Sequence, residues 1–324
     1  MINYFQKAYI NLAVSNEKTS FPEFMLTNSE KVSYNVTDRG IFPQTLQAKE
    51  QSIMEKNIRL VICDIDSTLV TSERELTPRT RAVIHQLHAK GIYFGIASGR
   101  PLDELAKKAA LWGISYPFDI LIGMNGSELW DNLHQKEFSY FKMKKEWIKE
   151  TMELMKPFDS NCFIYRDDCL LCERDDAQMR KSALTSDKHM VVVDSLSVMY
   201  EQENAKIMYR VKEDIVDEIE QYLNGHPSPY YKGFKTQPTL IEFADKRVSK
   251  AYALKKFCEC NRITPEEVVA FGDTTNDNDM LAYSGLGVCM INGSDDTKAI
   301  ADDITAYSND EDGFARYMEE HFLK

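Results

Sequence analysis

Short apolar runs alternate with amphipathic stretches in two separate parts of the chain. Residues 58–63 form an apolar run that ends at Asp64, the pattern of a strand buried on both faces. A polar turn at 71–75 follows. Thr77 then stands where a helix N-cap belongs, Pro78 is suited to the first helical position, and Val83, Ile84 and Leu87 share one face before Gly91 ends the helix. Residues 92–97 predict the next strand, which ends at Ser98, Gly99 and Arg100. Pro101 opens a second helix with Leu102, Leu105, Ala106 and Ala109 inward, and residues 119–122 predict a third strand that runs into Asn125 and Gly126. Alternating strands and helices predict an α/β fold, a parallel sheet with helices on both faces.

The same rhythm returns near the C-terminus. Residues 249–258 read as a helix with Leu254 and Phe257 inward. Thr264, Pro265 and Glu267 have capping-box spacing, residues 268–271 form a strand ending at Gly272 and Asp273, and a short helix through Met280 and Leu281 leads to a strand at 286–290. The stretch between has a different texture. Residues 142–155 and 213–223 read as helices, and 163–165, 191–193 and 205–211 as strands. The expected organisation is a polar extension at 1–55, a core built from 56–128 and 237–324, and an inserted α+β domain at 129–236. The extension shows no sustained periodicity and is expected to be poorly ordered or loosely packed. Tyr230, Tyr231 and Phe234 are expected either in the core of the insertion or facing its cleft. His85 and His88 read as surface or core-edge residues of the first helix.

Composition narrows the function classes. Of 324 residues, 43% are hydrophobic and 28% charged, which excludes a collagen-like, mucin-like or wholly disordered chain. The 51 acidic and 39 basic residues leave a net charge of −12. Such a surface repels phosphate backbones, so nucleic acid is not the expected partner. A small anionic substrate stays admissible, because a local metal or lysine reverses the sign inside a cleft. Seven cysteines, including a CxxC at Cys169 and Cys172 and a CxC at Cys258 and Cys260, suggest neither a disulfide framework nor a zinc site. No apolar run approaches a membrane span and the N-terminus lacks a secretory pattern, so a cytoplasmic protein away from membranes is expected.

Two aspartate clusters carry the chemistry. Asp64, Asp66 and Thr68 follow one apolar strand, and Gly272, Asp273, Asn276 and Asp277 follow another. Ligands of open α/β sheets bind beyond the carboxyl ends of the strands. Isolated aspartates there are usually caps and turn residues. Four at two such ends would repel each other, and a hard divalent cation between them is the economical resolution. An oxygen-rich site with room for phosphate oxygens suits Mg²⁺.

The run Asp64-Ile65-Asp66-Ser67-Thr68 resembles the DxDxT loop of the haloacid dehalogenase superfamily of phosphatases. Ser98 to Arg100 resembles its second motif, Lys250 its third, and residues 272–277 its fourth. The pairs Asn125-Gly126, Asn292-Gly293 and Asp312-Gly313 are similar to finer features of its Cof-type subfamily, whose α/β cap resembles the insertion. The resemblance covers residues from about 57 to 324. Ser67 and Thr274 depart from it, standing where glycine, or glycine or serine, is usual. It implies a Rossmann-like core with a parallel sheet and an inserted cap.

The resemblance further implies an Mg²⁺-dependent phosphatase acting through an aspartyl phosphate. Asp64 would be the nucleophile and Asp66 the general acid and base. Asp64, Asp273 and the Asp66 carbonyl would hold the metal, with Asp277 behind them. Ser98, Gly99, Lys250 and Asn276 would bind phosphoryl oxygens. A lysine in a helix's first turn is mildly unfavourable for the helix dipole, which favours a functional reason for Lys250. Arg100 is expected to brace the loop by salt bridges. The expected substrate is a small phosphorylated metabolite, sugar phosphates first, with nucleotide or cofactor phosphates behind. A phosphosugar mutase and a non-catalytic phosphometabolite-binding protein are the alternatives.

Overall fold

The computed structural model describes residues 34–37, 40–43 and 57–323. In the N-terminal unit, β1 (Tyr34–Thr37) and β2 (Gly40–Pro43) pair antiparallel as a hairpin. The expectation of a loose extension falls mostly on residues outside this description.

The second unit begins with the larger sheet. Its strands are β3 (Leu60–Cys63), β4 (Tyr93–Ala97), β5 (Ile120–Gly123), β6 (Glu128–Asp131), β7 (Lys136–Ser139), β14 (Val268–Gly272), β15 (Leu286–Cys289) and β16 (Asp303–Ile304). Their order is β16-β15-β14-β3-β4-β5-β6-β7. All neighbours are parallel except at β6 and β7, which pair antiparallel. Alternate residues of β3 serve the two faces, as the pleat requires. Val61 and Cys63 join a core with α1 (Pro78–Ala89), α2 (Leu102–Leu111) and α9 (Gly313–His321). Leu60 and Ile62 join the opposite core with α6 (Lys250–Asn261) and α7 (Asn278–Tyr283). The expected caps form: the Thr77 side chain accepts from the Thr80 N–H, and Thr264 with Glu267 makes a capping box.

The smaller sheet has the order β10-β9-β8-β11-β13-β12. Its strands are β8 (Ser160–Arg166), β9 (Cys169–Cys172), β10 (His189–Val192), β11 (Lys206–Val211), β12 (Tyr231–Gln237) and β13 (Leu240–Asp245). One face, with Ile207, Tyr209, Ile241 and Phe243, packs on α3 (Lys145–Met155) and α5 (Val216–Asn224). On the other face Phe163, Met208 and Leu240 meet Met179 and Ala183 of α4 (Ala177–Thr185).

The sheets divide the chain differently from the expected boundaries at 129 and 236. β6 and β7 extend the larger sheet, with Leu129 opposite Ile122 and Phe138 opposite Leu129. β12 crosses the second boundary and β13 lies beyond it, yet both pair within the smaller sheet. An edge hairpin half-exposed to solvent carries the same mixed texture as a separate domain, so composition misplaced the first boundary. The second was misplaced because it falls inside β12, whose mostly polar sequence gives no strand signal.

Among the described residues, three polar contacts away from the chain crossovers join cap to core. Lys206 Nζ donates to the Gly99 carbonyl at 3.0 Å, Lys107 pairs with Asp187 at 2.6 Å, and the buried Lys188 pairs with Asp103.

Candidate active site

The ends of β3 and β14 lie side by side, and the Asp64 N–H donates to the Phe271 carbonyl at 2.9 Å. This register places two aspartate loops together. Past Asp64 the chain coils tightly through residues 65–69, with Ser67 in the left-handed region at φ 61°. That geometry explains why glycine is usual there, since a side chain at positive φ costs about 1 kcal/mol. Past β14, Gly272 lets the returning chain close up: a Cβ there would sit 2.4 Å from Cβ of Asp277.

Asp64, Asp273 and Asp277 each offer a carboxylate oxygen within 4.8 Å of the others, and they are the one such group of candidate metal ligands among the described residues. Lys250 lies behind them, fully buried. Its Nζ donates to Asp64 Oδ1 at 2.5 Å and to Asp277 Oδ1 at 2.6 Å. The other Asp277 oxygen accepts the N–H groups of Asp273 and Thr274 at 3.0 and 3.2 Å. Thr68 Oγ1 donates to Asp273 at 3.0 Å. Lys250 reaches this position because α6 starts against Asn125-Gly126. Gly126 has φ 104°, and a Cβ on it would fall 2.0 Å from the Ser249 carbonyl oxygen.

The charges do not balance. Burial lowers the affinity of Lys250 for its proton, but Asp277 and Asp64 outweigh it and hold the ammonium well above its usual range. Burial pushes Asp64 up; the Lys250 charge opposes this, while Asp277 and Asp273 reinforce it. Burial, with Asp277 beside it, pushes Asp273 up to about 6 despite the Thr68 hydrogen bond. One lysine therefore leaves two carboxylate charges uncompensated.

Asp66 is placed differently. Arg100 forks onto it, with Nη2 2.9 Å from Oδ1, and also holds Glu104 at 2.5 Å. Arg100 therefore makes the bracing salt bridges expected of it. Ser98 is buried at the end of β4, where its carbonyl accepts from the Asn125 N–H. Asn276 Nδ2 donates to Asn125 Oδ1 at 3.2 Å. A cavity of about 750 Å³ opens above these loops, with Asp64, Asp66, Ser98, Gly99, Asp273 and Asn276 on its floor. Lys250 and Asp277 do not line it.

The roof is where sequence reasoning missed residues. Phe163, Tyr165, Lys206, Met208 and Arg210 face the cavity from β8 and β11. The alternation at 206, 208 and 210 is the signal in the sequence, but it does not say which face is covered. Tyr230, Tyr231 and Phe234 do not line the cavity. Tyr231 is in the cap core and Tyr230 stacks on Trp147.

Residues 61–318 match the family model of haloacid dehalogenase-like hydrolases. The chain belongs to this family. This haloacid dehalogenase-like hydrolase is 25% identical over 288 residues to the 5-amino-6-(5-phospho-D-ribitylamino)uracil phosphatase YitU of Bacillus subtilis, covering 83% of this chain and 99% of that one. It is 28% identical over 268 residues to YcsE of the same organism, a phosphatase of the same printed name, covering 82% and 97%. A haloacid dehalogenase-like hydrolase from Bacteroides thetaiotaomicron superposes with a TM-score of 0.73 at 25% identity, over 82% of this chain and all of that one. The hydrolase is a phosphatase of its superfamily. No described helix is long and apolar enough to cross a membrane.

Its aspartate cluster fits a divalent cation. The donors are hard oxygens, they converge, and their excess negative charge calls for one.

Proposed function

We propose that this hydrolase is an Mg²⁺-dependent phosphatase that cleaves a phosphate monoester of a small metabolite through Asp64. The observation that carries the reading is Asp64 on the cavity floor, in a converging carboxylate cluster backed by a buried lysine. Asp64, Asp273 and the Asp66 carbonyl would hold the metal, with Asp277 behind. When bound, Mg²⁺ offsets carboxylate and phosphoryl charge.

The protein's own groups then divide the work. An Asp64 oxygen attacks phosphorus as the bond to the leaving oxygen breaks, and Asp66 gives that oxygen its proton. Water attacks the aspartyl phosphate next, Asp66 takes the water's proton, and the bond between phosphorus and Asp64 breaks to free phosphate and carboxylate. Ser98, Gly99 and Asn276 bind phosphoryl oxygens as charge develops on them. Lys250 pairs with Asp64 and Asp277 and supplies positive charge beneath the phosphoryl group. For Asp66 to act, Arg100 must share it with the substrate. The cap roof excludes bulk water.

Sugar phosphates lead the substrate classes, and the phosphorylated ribityl chain in the relatives' printed names is chemically close to them. Phosphate release from an aryl phosphate and a sugar phosphate panel, with Mg²⁺ and with chelator, tests the reading beside Asp64→Asn. Metal-dependent release that falls at least a hundredfold in the variant is expected. Release that survives the substitution would sink the role given to Asp64.

A further inference from the structure

The roof of the cavity holds positive charge that the chemistry of phosphate cleavage does not use. Lys206, Met208 and Arg210 alternate along β11 and all face the cavity. Lys206 reaches the Gly99 carbonyl, so that end of β11 lies over the floor loops. Arg210 stands four residues further along, roughly 13 Å away at strand spacing. Register sets its neighbours: Met208 lies beside Phe163, and Arg210 beside Leu240. On α4, Gln178, Lys181, Ser182 and Thr185 also face the cavity, the spacing of one helix face.

The carboxylates on this side of the cavity are already taken. Glu242 pairs with Lys206 at 2.9 Å, and Glu104 with Arg100 and Lys108. Arg210 has no carboxylate in ion-pair range among the described residues. Its side-chain partners are neutral: Ser182 Oγ at 3.2 Å, Gln237 Oε1 at 3.1 Å and Thr239 Oγ1 at 3.3 Å. Lys181, one residue before Ser182, likewise has no ion pair among the described residues. A half-buried guanidinium with no carboxylate in direct contact, in a chain with a net charge of −12, loses hydration that the more distant Glu242 and Asp176 charges only partly offset. A cavity that presents such a group is set up to receive the missing anion, and a guanidinium matches carboxylate and phosphate geometry.

We propose that Arg210, assisted by Lys181, forms a second subsite for an anionic group on the substrate's leaving-group side. The inference rests on the phosphatase reading and deepens it: the preferred substrates are small phosphate monoesters with a carboxylate or second phosphate about a sugar's length from the scissile ester. Arg210 also lies over the Phe163 ring, 5.9 Å from its centroid. A purely structural role would be to brace β11 against α4, β8 and the turn from β12 to β13 through that ring and the three neutral partners.

Steady-state hydrolysis by the full chain with Mg²⁺ separates the two roles. The probes are a polyol phosphate with a neutral tail, a sugar-acid phosphate, a sugar bisphosphate and an aryl phosphate, each with wild type, Arg210→Met and Arg210→Lys. In the wild type, kcat/KM for at least one anionic tail exceeds that for the neutral tail at least tenfold, chiefly through KM. The two anionic probes tell carboxylate from phosphate. Arg210→Met brings the ratio to within twofold of one, and Arg210→Lys keeps part of it. A wild type that prefers the neutral tail, or a ratio undiminished in Arg210→Met, overturns the subsite. Equal losses on every probe assign Arg210 to bracing and overturn it too. If the wild type cleaves none of the four, the phosphatase reading fails separately. Calorimetric binding of the sugar-acid phosphate then decides the subsite: a tenfold weaker affinity in Arg210→Met supports it, and equal affinity overturns it.

Discussion

Lys250 gathers several lines of the argument in one side chain. Its position in the first turn of α6 opposes the helix dipole, and it is fully buried with two carboxylates on its ammonium. Removing it would leave Asp277 buried and unpaired, which costs about 3–5 kcal/mol. Lys250→Met is therefore expected to lower the metal-free thermal midpoint by roughly 10 °C, besides losing activity. Calorimetry in chelator checks this, and an unchanged midpoint would show that Lys250 does not neutralise the buried pair. Asp66 is the contrasting residue. Its place two positions after Asp64 is plain in the sequence, but its ion pair with Arg100 brings together residues 34 apart.

Whole elements differ in how far the chain alone reveals them. β3 and β14 are legible because a parallel strand buried on both faces is a continuous apolar run, and each ends in an aspartate. β12 was not read as a strand, since its sequence is mostly polar and only Tyr231 of its residues is buried. The β6–β7 hairpin was assigned to the insertion for a similar reason. Its first residue does more than extend the sheet. Glu128 Oε2 accepts the Leu102 N–H at 3.1 Å, near the start of α2. Burial raises the Glu128 pKa, against the pull of that hydrogen bond. A carboxyl with a raised folded-state pKa binds its proton more tightly in the folded state. Stability is then present below the ordinary glutamate range and lost as pH rises through the raised value. Glu128→Gln keeps an acceptor and removes the buried charge. It is expected to stabilise the protein relative to wild type at pH 7 and to lose that advantage near pH 4. Denaturant titrations at the two pH values measure the difference, and an advantage of equal size at both would contradict it.

At the scale of the molecule, electrostatics link site and stability. Asp64, Asp273 and Asp277 converge within 4.8 Å with one lysine between them. A divalent cation that relieves this repulsion binds only the folded chain and must raise its melting temperature. Millimolar Mg²⁺ is expected to raise the midpoint by several degrees over chelator, and Asp273→Asn to remove most of the rise. A rise of equal size in that variant would place the cation elsewhere. The cap closes over the same site through Lys188–Asp103, Lys107–Asp187 and the Lys206 contact to Gly99. None of these could be paired from the sequence, because each joins cap to core across 80 or more positions of chain.

What the chain by itself determined is the kind of protein. Apolar runs, caps and the aspartates at two strand ends settle locally, through periodicity and turn chemistry; they sufficed for an α/β core and an insertion, and the ordered motifs carried the resemblance that implied phosphoryl transfer. What only the tertiary structure decided is which of those groups meet. Lys250 reaches Asp64 because Gly126 allows the backbone to approach. Arg210 faces the cavity, with Ser182, Gln237 and Thr239 as partners, because strand register and the packing of α4 put it there. Contacts between residues distant in sequence depend on the packing of whole elements, and no local pattern encodes their partners.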